Sequence, residues 1–200
     1  MNPFAAILAV AALGPVASSS PPPTLPFDTI GETRASVQPV TFLTLGATQI
    51  KFESSTFADV AKFSAAPIGQ RGDASEFEMW ICFTLSDVKQ RLWLTSSELG
   101  GRKFIDGAVA ARLPNRAHAT TDCPELPKAF RPAHLDNGVW LGTSVDSLTQ
   151  LFGPPSVGPG GWLSFAYLGK DGEYDVGSSL LVRVSNKRVV ALLASHTTTN

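Results

Sequence analysis

The stretch Val145-Asp146-Ser147-Leu148-Thr149-Gln150-Leu151, closed by Gly153-Pro154-Pro155, repeats an earlier one. That earlier stretch is Phe57-Ala58-Asp59-Val60-Ala61-Lys62-Phe63, closed by Ala65-Ala66-Pro67. Working outward, Glu78-Met79-Trp80-Ile81-Cys82-Phe83 lines up with Gly160-Gly161-Trp162-Leu163-Ser164-Phe165, and Leu92-Trp93-Leu94 with Leu180-Leu181-Val182. Residues 103–110, opening Lys103-Phe104-Ile105-Asp106, line up with 187–194, opening Lys187-Arg188-Val189-Val190. The order is the same and the spacings differ only by loop lengths. Such self-similarity marks an internal duplication.

Each copy reads as a short helix followed by three strands. Val60 and Phe63, like Leu148 and Leu151, sit three apart and share one helix face. Ser54, Ser55 and Thr56 in the first copy, and Thr143 and Ser144 in the second, are candidate N-caps, whose hydroxyls accept from the first free amides. Pro67 and the pair Pro154-Pro155 end the helices, because proline lacks the amide hydrogen and clashes with the preceding turn. A strand is also expected before each helix, in residues 40–52 and 138–141. The expected fold class is therefore α+β: two tandem units, each a short helix packed on a small antiparallel β-sheet. Residues 38–113 form the first unit, 114–134 a linker and 135–200 the second.

Strand parity then separates two faces. Ile81, Phe83 and Leu85 alternate with Trp80, Cys82 and Thr84; Leu163, Phe165 and Tyr167 alternate with Trp162, Ser164 and Ala166. Leu92 and Leu94 alternate with Trp93 and Thr95, and Leu180, Val182 and Val184 with Leu181, Arg183 and Ser185. Alternate residues of a strand point to opposite sides, so the uniformly apolar set faces the helix. The other face carries Trp80, Trp93, Trp162, Leu181 and Arg183. Two readings of those tryptophans stand side by side. Strand aromatics are commonly core, whereas Trp and Arg on an open face mark a binding surface.

Composition narrows the partners. Lys and Arg number 16 against 17 Asp and Glu, a net charge of −1, and they are scattered singly. A nucleic-acid binder needs a basic stripe, so nucleic acid is excluded as the expected partner. Residues 4–13 form a short apolar run, followed by Gly14-Pro15 and the small residues Val16-Ala17-Ser18. Residues 1–18 thus read as a signal peptide, although no Lys or Arg precedes the run, which leaves a disordered or anchoring N-terminus as the alternative. Residues 19–37 follow as a Ser/Pro-rich, solvated spacer. No later apolar stretch reaches the roughly 20 residues of a membrane span, so no transmembrane segment is expected. The predicted location is periplasmic or secreted. In that setting the two cysteines, Cys82 and Cys123, read as one disulfide, and they lack the neighbouring ligands of a metal site. Since Cys82 lies on the tryptophan face, the linker bearing Cys123 should cross it.

Residues Leu141-Gly142-Thr143-Ser144-Val145-Asp146-Ser147-Leu148-Thr149-Gln150-Leu151-Phe152-Gly153-Pro154-Pro155-Ser156, with an aromatic strand and the basic turn Asn186-Lys187 after them, support a family comparison. This pattern resembles the repeat of the beta-lactamase inhibitor protein (BLIP) and of the BamE/SmpA/OmlA outer-membrane assembly proteins. In those families a Gly-x-Thr helix start, a Leu-Gly-x-Pro helix end and a small sheet recur. The first copy matches more loosely, since Ser64-Ala65-Ala66-Pro67 lacks the glycine. A tandem resemblance implies that the two sheets join into one concave surface that grips a partner. The presence of two copies and the lack of a lipidation cysteine separate this chain from the assembly proteins.

Other motifs carry little chemistry. His118, His134 and His196 show no metal-ligand spacing, and neither HExxH nor GxSxG occurs. Arg71-Gly72-Asp73 reads as a turn, Gly158-Pro159-Gly160-Gly161 as a strand entry, and Asp171-Gly172 as a hairpin. The expected function is that of an exported, non-enzymatic protein-binding protein without catalytic residues, cofactor or metal. Its partner would be a protein, including an enzyme that it inhibits, engaged by Trp80, Trp93, Trp162, Leu181 and Arg183. A homodimer through the same face is the other expected use of that surface. The alternative is a structural or assembly component of the bacterial cell envelope. A small hydrolase would need a cleft where His134 or His196 meets a serine and a carboxylate.

Overall fold

The computed structural model describes residues 19–23, 35–73, 77–98, 101–115 and 117–200. The apolar run of the expected signal peptide lies outside them. In chain order the strands and helices are β1 (Phe42–Leu45), β2 (Thr48–Lys51), α1 (Phe57–Ala61), β3 (Ile68–Arg71), β4 (Glu78–Leu85), β5 (Gln90–Ser97) and β6 (Gly107–Arg112). There follow β7 (Ala133–Leu135), α2 (Val145–Phe152), β8 (Ser156–Val157), β9 (Trp162–Asp171), β10 (Tyr174–Ser185) and β11 (Arg188–Thr199).

The expected fold class is corrected here. The chain is mostly β, with two short α-helices among the described residues, and it does not form two helix-on-sheet units. The element order does recur, as α1–β3–β4–β5–β6 and α2–β8–β9–β10–β11. Yet β6 pairs antiparallel with β11, merging these strands into one sheet of order β3-β4-β5-β6-β11-β10-β9-β8. A second sheet, β2-β1-β7, joins strands from distant parts of the chain, with Leu43 opposite Leu135. Residues 138–141, expected as a strand, instead form the turn after β7.

One apolar core lies between the sheets. The small sheet contributes Leu43, Leu45, Ile50 and Leu135, and the helices Phe57, Val60, Leu148 and Phe152. The large sheet supplies Ile81, Phe83, Leu92, Leu94, Phe165, Leu180, Val182 and Leu192 from its inner face. Two helices of five and eight residues cannot cover eight strands, so the second sheet supplies the rest of the cover. Thr56 caps α1 in a reciprocal capping box with Asp59, and Ser144 caps α2 by accepting from the Ser147 amide. In β11 a bulge between the pairs Arg183–Ala191 and Val184–Val189 resets the alternation. The extra residue lets both Val189 and Leu192 point inward, which an unbroken strand would forbid.

Candidate functional site

The outer face of the large sheet carries the residues singled out from the sequence. Trp80 and Trp93 do project from it, but they are only 3 % and 5 % exposed. Residues 19–23 lie across them: the Trp80 indole N–H donates to the Ser19 carbonyl at 3.0 Å and that of Trp93 to the Ser20 carbonyl at 2.9 Å. The Cys82 amide donates to Ser19 Oγ at 2.9 Å. The expectation of a solvated spacer is thus corrected for Ser19, which is buried. Trp162 and Leu181 are buried as well, and Arg183 alone of the five stands exposed. Trp162 and Arg183 face each other across the β9–β10 ladder.

The linker crosses this face, held by the Cys82–Cys123 disulfide with a Cα–Cα distance of 4.8 Å. Trp80, Cys82, Trp93, Val109 and Cys123 form a second apolar cluster, separate from the core. β3 pairs with β4 only as far as Ile81, and beyond it the linker takes over the ladder edge. The Thr84 amide donates to the Pro124 carbonyl and the Leu126 amide to the Thr84 carbonyl, both at 2.8 Å. The two contacts satisfy backbone groups that an open edge would offer to another chain.

Farther along the sheet the outer face changes character. A hollow of about 530 Å³ opens beside Leu168, Gly177, Thr197 and Thr199, with Lys170 and Asp175 also in its wall. Leu168 is 54 % exposed, and Gly177 opposite it has no side chain to fill the space. Lys170 and Asp175 pair at 3.2 Å on the rim, both largely exposed. From Trp162 to Leu168 the strand runs about 20 Å, so the hollow and Arg183 lie at opposite ends of one face. Sequence reasoning missed Leu168; its parity with Trp162 placed it on the outer face, but a single leucine near a hairpin gave no reason to select it.

His134 and His196 each have a close partner. His134 Nδ1 lies 2.9 Å from the carbonyl of Leu135, and His196 Nδ1 lies 2.9 Å from Gln38 Nε2. His196 Nε2 is 3.8 Å from Glu53, whose carboxylate also accepts from the Thr198 amide and hydroxyl. A carboxylate is present at His196, but its other nitrogen meets an amide rather than a serine. Arg71 ends β3 and pairs with Glu78 at 2.6 Å, with its guanidinium 5.5 Å from the Trp80 ring centroid. Among the described residues no helix is long and apolar enough to cross a membrane.

Set against family models, curated proteins and solved structures, the chain matches none.

Proposed function

We propose that the protein is an exported, non-enzymatic binding protein that engages a protein partner through the outer face of the large sheet, at the β9–β11 end. The hollow beside Leu168 carries this reading. An apolar concavity with an exposed leucine and a charged rim is suited to receiving a partner's side chain, as in the packed centre and polar rim of protein interfaces. Residues 19–23 and the linker already occupy the β4–β5 end, which directs a partner to the other half. The resemblance of residues 141–156 to inhibitor repeats that grip partners with a sheet supports the same class of function. The disulfide fits an oxidising compartment and supports export.

The test is site-specific photo-crosslinking in the native envelope or culture fluid. A photoreactive residue at position 168 should yield a discrete protein adduct, and one at Lys62, an exposed site beside α1, should not. Equal yields from both positions, or none from position 168, would refute the proposal.

A further inference from the structure

A second cavity, of about 360 Å³, lies where the β4–β5 turn meets the end of the linker. Its apolar wall comes from Leu85, Val88, Pro132, Ala133 and the ring of Trp140. The indole is fixed in place, because its N–H donates to Gln90 Oε1 at 2.8 Å. Ligand pockets begin at roughly 300 Å³, so the space suits one small ring compound.

The polar groups in the lining are largely committed. Arg131 is 13 % exposed at its side chain and pairs with Asp87 at 2.7 Å and Glu125 at 2.5 Å. Its Nε donates to the Leu126 carbonyl at 2.9 Å. Gln90 Oε1 is taken up by Trp140. Asp87 Oδ1 accepts from the Val88 amide at 3.0 Å as well as from Arg131, and its side chain is 59 % exposed at the edge of the cavity. Two carboxylates thus share one guanidinium, and both stay ionised at neutral pH. The hydrogen bond from Arg131 holds Asp87 low. Burial works to raise Glu125, but hydrogen bonds from Ser86 and Arg131 outweigh it.

We infer that this cavity is a binding site for a small aromatic amine, with the ring against Trp140 and Val88 and the ammonium at the exposed carboxylate of Asp87. A buried ring and an outward cation match an apolar pocket with an exposed carboxylate at its mouth. An anion of the same shape would meet two carboxylates against one cation already engaged by both.

Isothermal titration with phenethylamine tests the site, with phenethyl alcohol and 3-phenylpropionate as the neutral and anionic counterparts. Phenethylamine should bind saturably and about fivefold more tightly than the alcohol, the size of an exposed ion pair. The anion should bind most weakly. Asp87→Asn should abolish the preference for the amine while retaining weak binding of the ring. Val88→Lys, at a position 53 % exposed and so tolerant of change, should weaken the amine most. The inference is overturned if phenethylamine shows no saturable binding, if the anion binds as tightly, or if Asp87→Asn leaves the preference unchanged.

Discussion

Trp80 lies flat over Gly69, its partner across the β3–β4 ladder: a Cβ placed on Gly69 would come within 2.3 Å of the indole nitrogen. The glycine is therefore the seat of the ring. Replacing it with alanine removes the entropic penalty of a strand glycine, worth about 0.5–1 kcal/mol. Against that gain stands an overlap with a buried ring, which commonly costs about 1–3 kcal/mol. The overlap wins. Gly69→Ala should lower the urea midpoint and shift tryptophan emission to the red.

Residues 19–23 act as a lid strip for the two tryptophans of the first half. A chain beginning at residue 24 loses both indole hydrogen bonds and the acceptor for the Cys82 amide. At about 1 kcal/mol each, the loss is roughly 3 kcal/mol. Compared with a chain beginning at residue 19, it should show stronger acrylamide quenching of tryptophan and a lower melting temperature.

The disulfide ties the linker to β4 across a separation of 41 residues. In the chain-entropy model such a loop contributes about 3–4 kcal/mol. Cys82→Ala with Cys123→Ala should reduce stability by that order. Amide exchange should rise first at Thr84 and Leu126, whose ladder contacts the bridge holds in place.

Ser178 does the work of a missing strand. Its hydroxyl accepts from the Val40 amide at 3.2 Å and donates to the Val40 carbonyl at 2.8 Å, inside the core. Ser178→Ala removes only the hydroxyl, and it orphans a buried donor and a buried acceptor. Each unsatisfied group costs about 1–3 kcal/mol. The variant should be destabilised by about 2 kcal/mol or more, as read from urea unfolding.

These contacts show where the sequence was informative. Helix positions followed from the N-caps and the prolines behind them, although Phe63 lies beyond α1 and Phe152 rather than Leu151 is the buried partner of Leu148; face parity followed from strict alternation in β4, β9 and β10. The cysteine pair correctly brought the linker across the face that carries Cys82. The second sheet was not legible, because β7 is only three residues long and its partner β1 lies some ninety residues away. Without it, each helix is assigned to its own sheet; that the two sheets join was implied only by the resemblance, and the β6–β11 pairing that joins them was not identified. The tryptophan cover was hidden for another reason. Serine and proline suggest solvation, but here it is backbone carbonyls that receive the indole hydrogens, and every residue has a carbonyl. Leu168 gained meaning only from Gly177 opposite it.

Asp106 gives a pH dependence opposite to that of the surface carboxylates. Burial raises its carboxyl above the usual range, against hydrogen bonds from the Ser97 hydroxyl and amide, and the charge of Glu53 adds to the rise. Because the folded pKa exceeds the unfolded value of about 4, the folded chain binds more protons between the two, and stability falls as pH rises through that window. Asp59, Asp87, Asp122 and Glu125 are all lowered, so their contribution is lost in the other direction, as pH falls below about 4. A variant separates the two effects. Asp106→Asn keeps an oxygen that can accept from Ser97, whose present bonds are 2.5 Å and 2.8 Å, but it carries no charge. The surface carboxylates are common to both chains and cancel in the difference. Relative to the parent, the variant should gain stability as pH is raised from about 4 towards neutrality, in urea midpoints measured at half-unit steps. A difference that stays constant across that range would mean that Asp106 is no more costly to ionise in the folded chain than in the unfolded one.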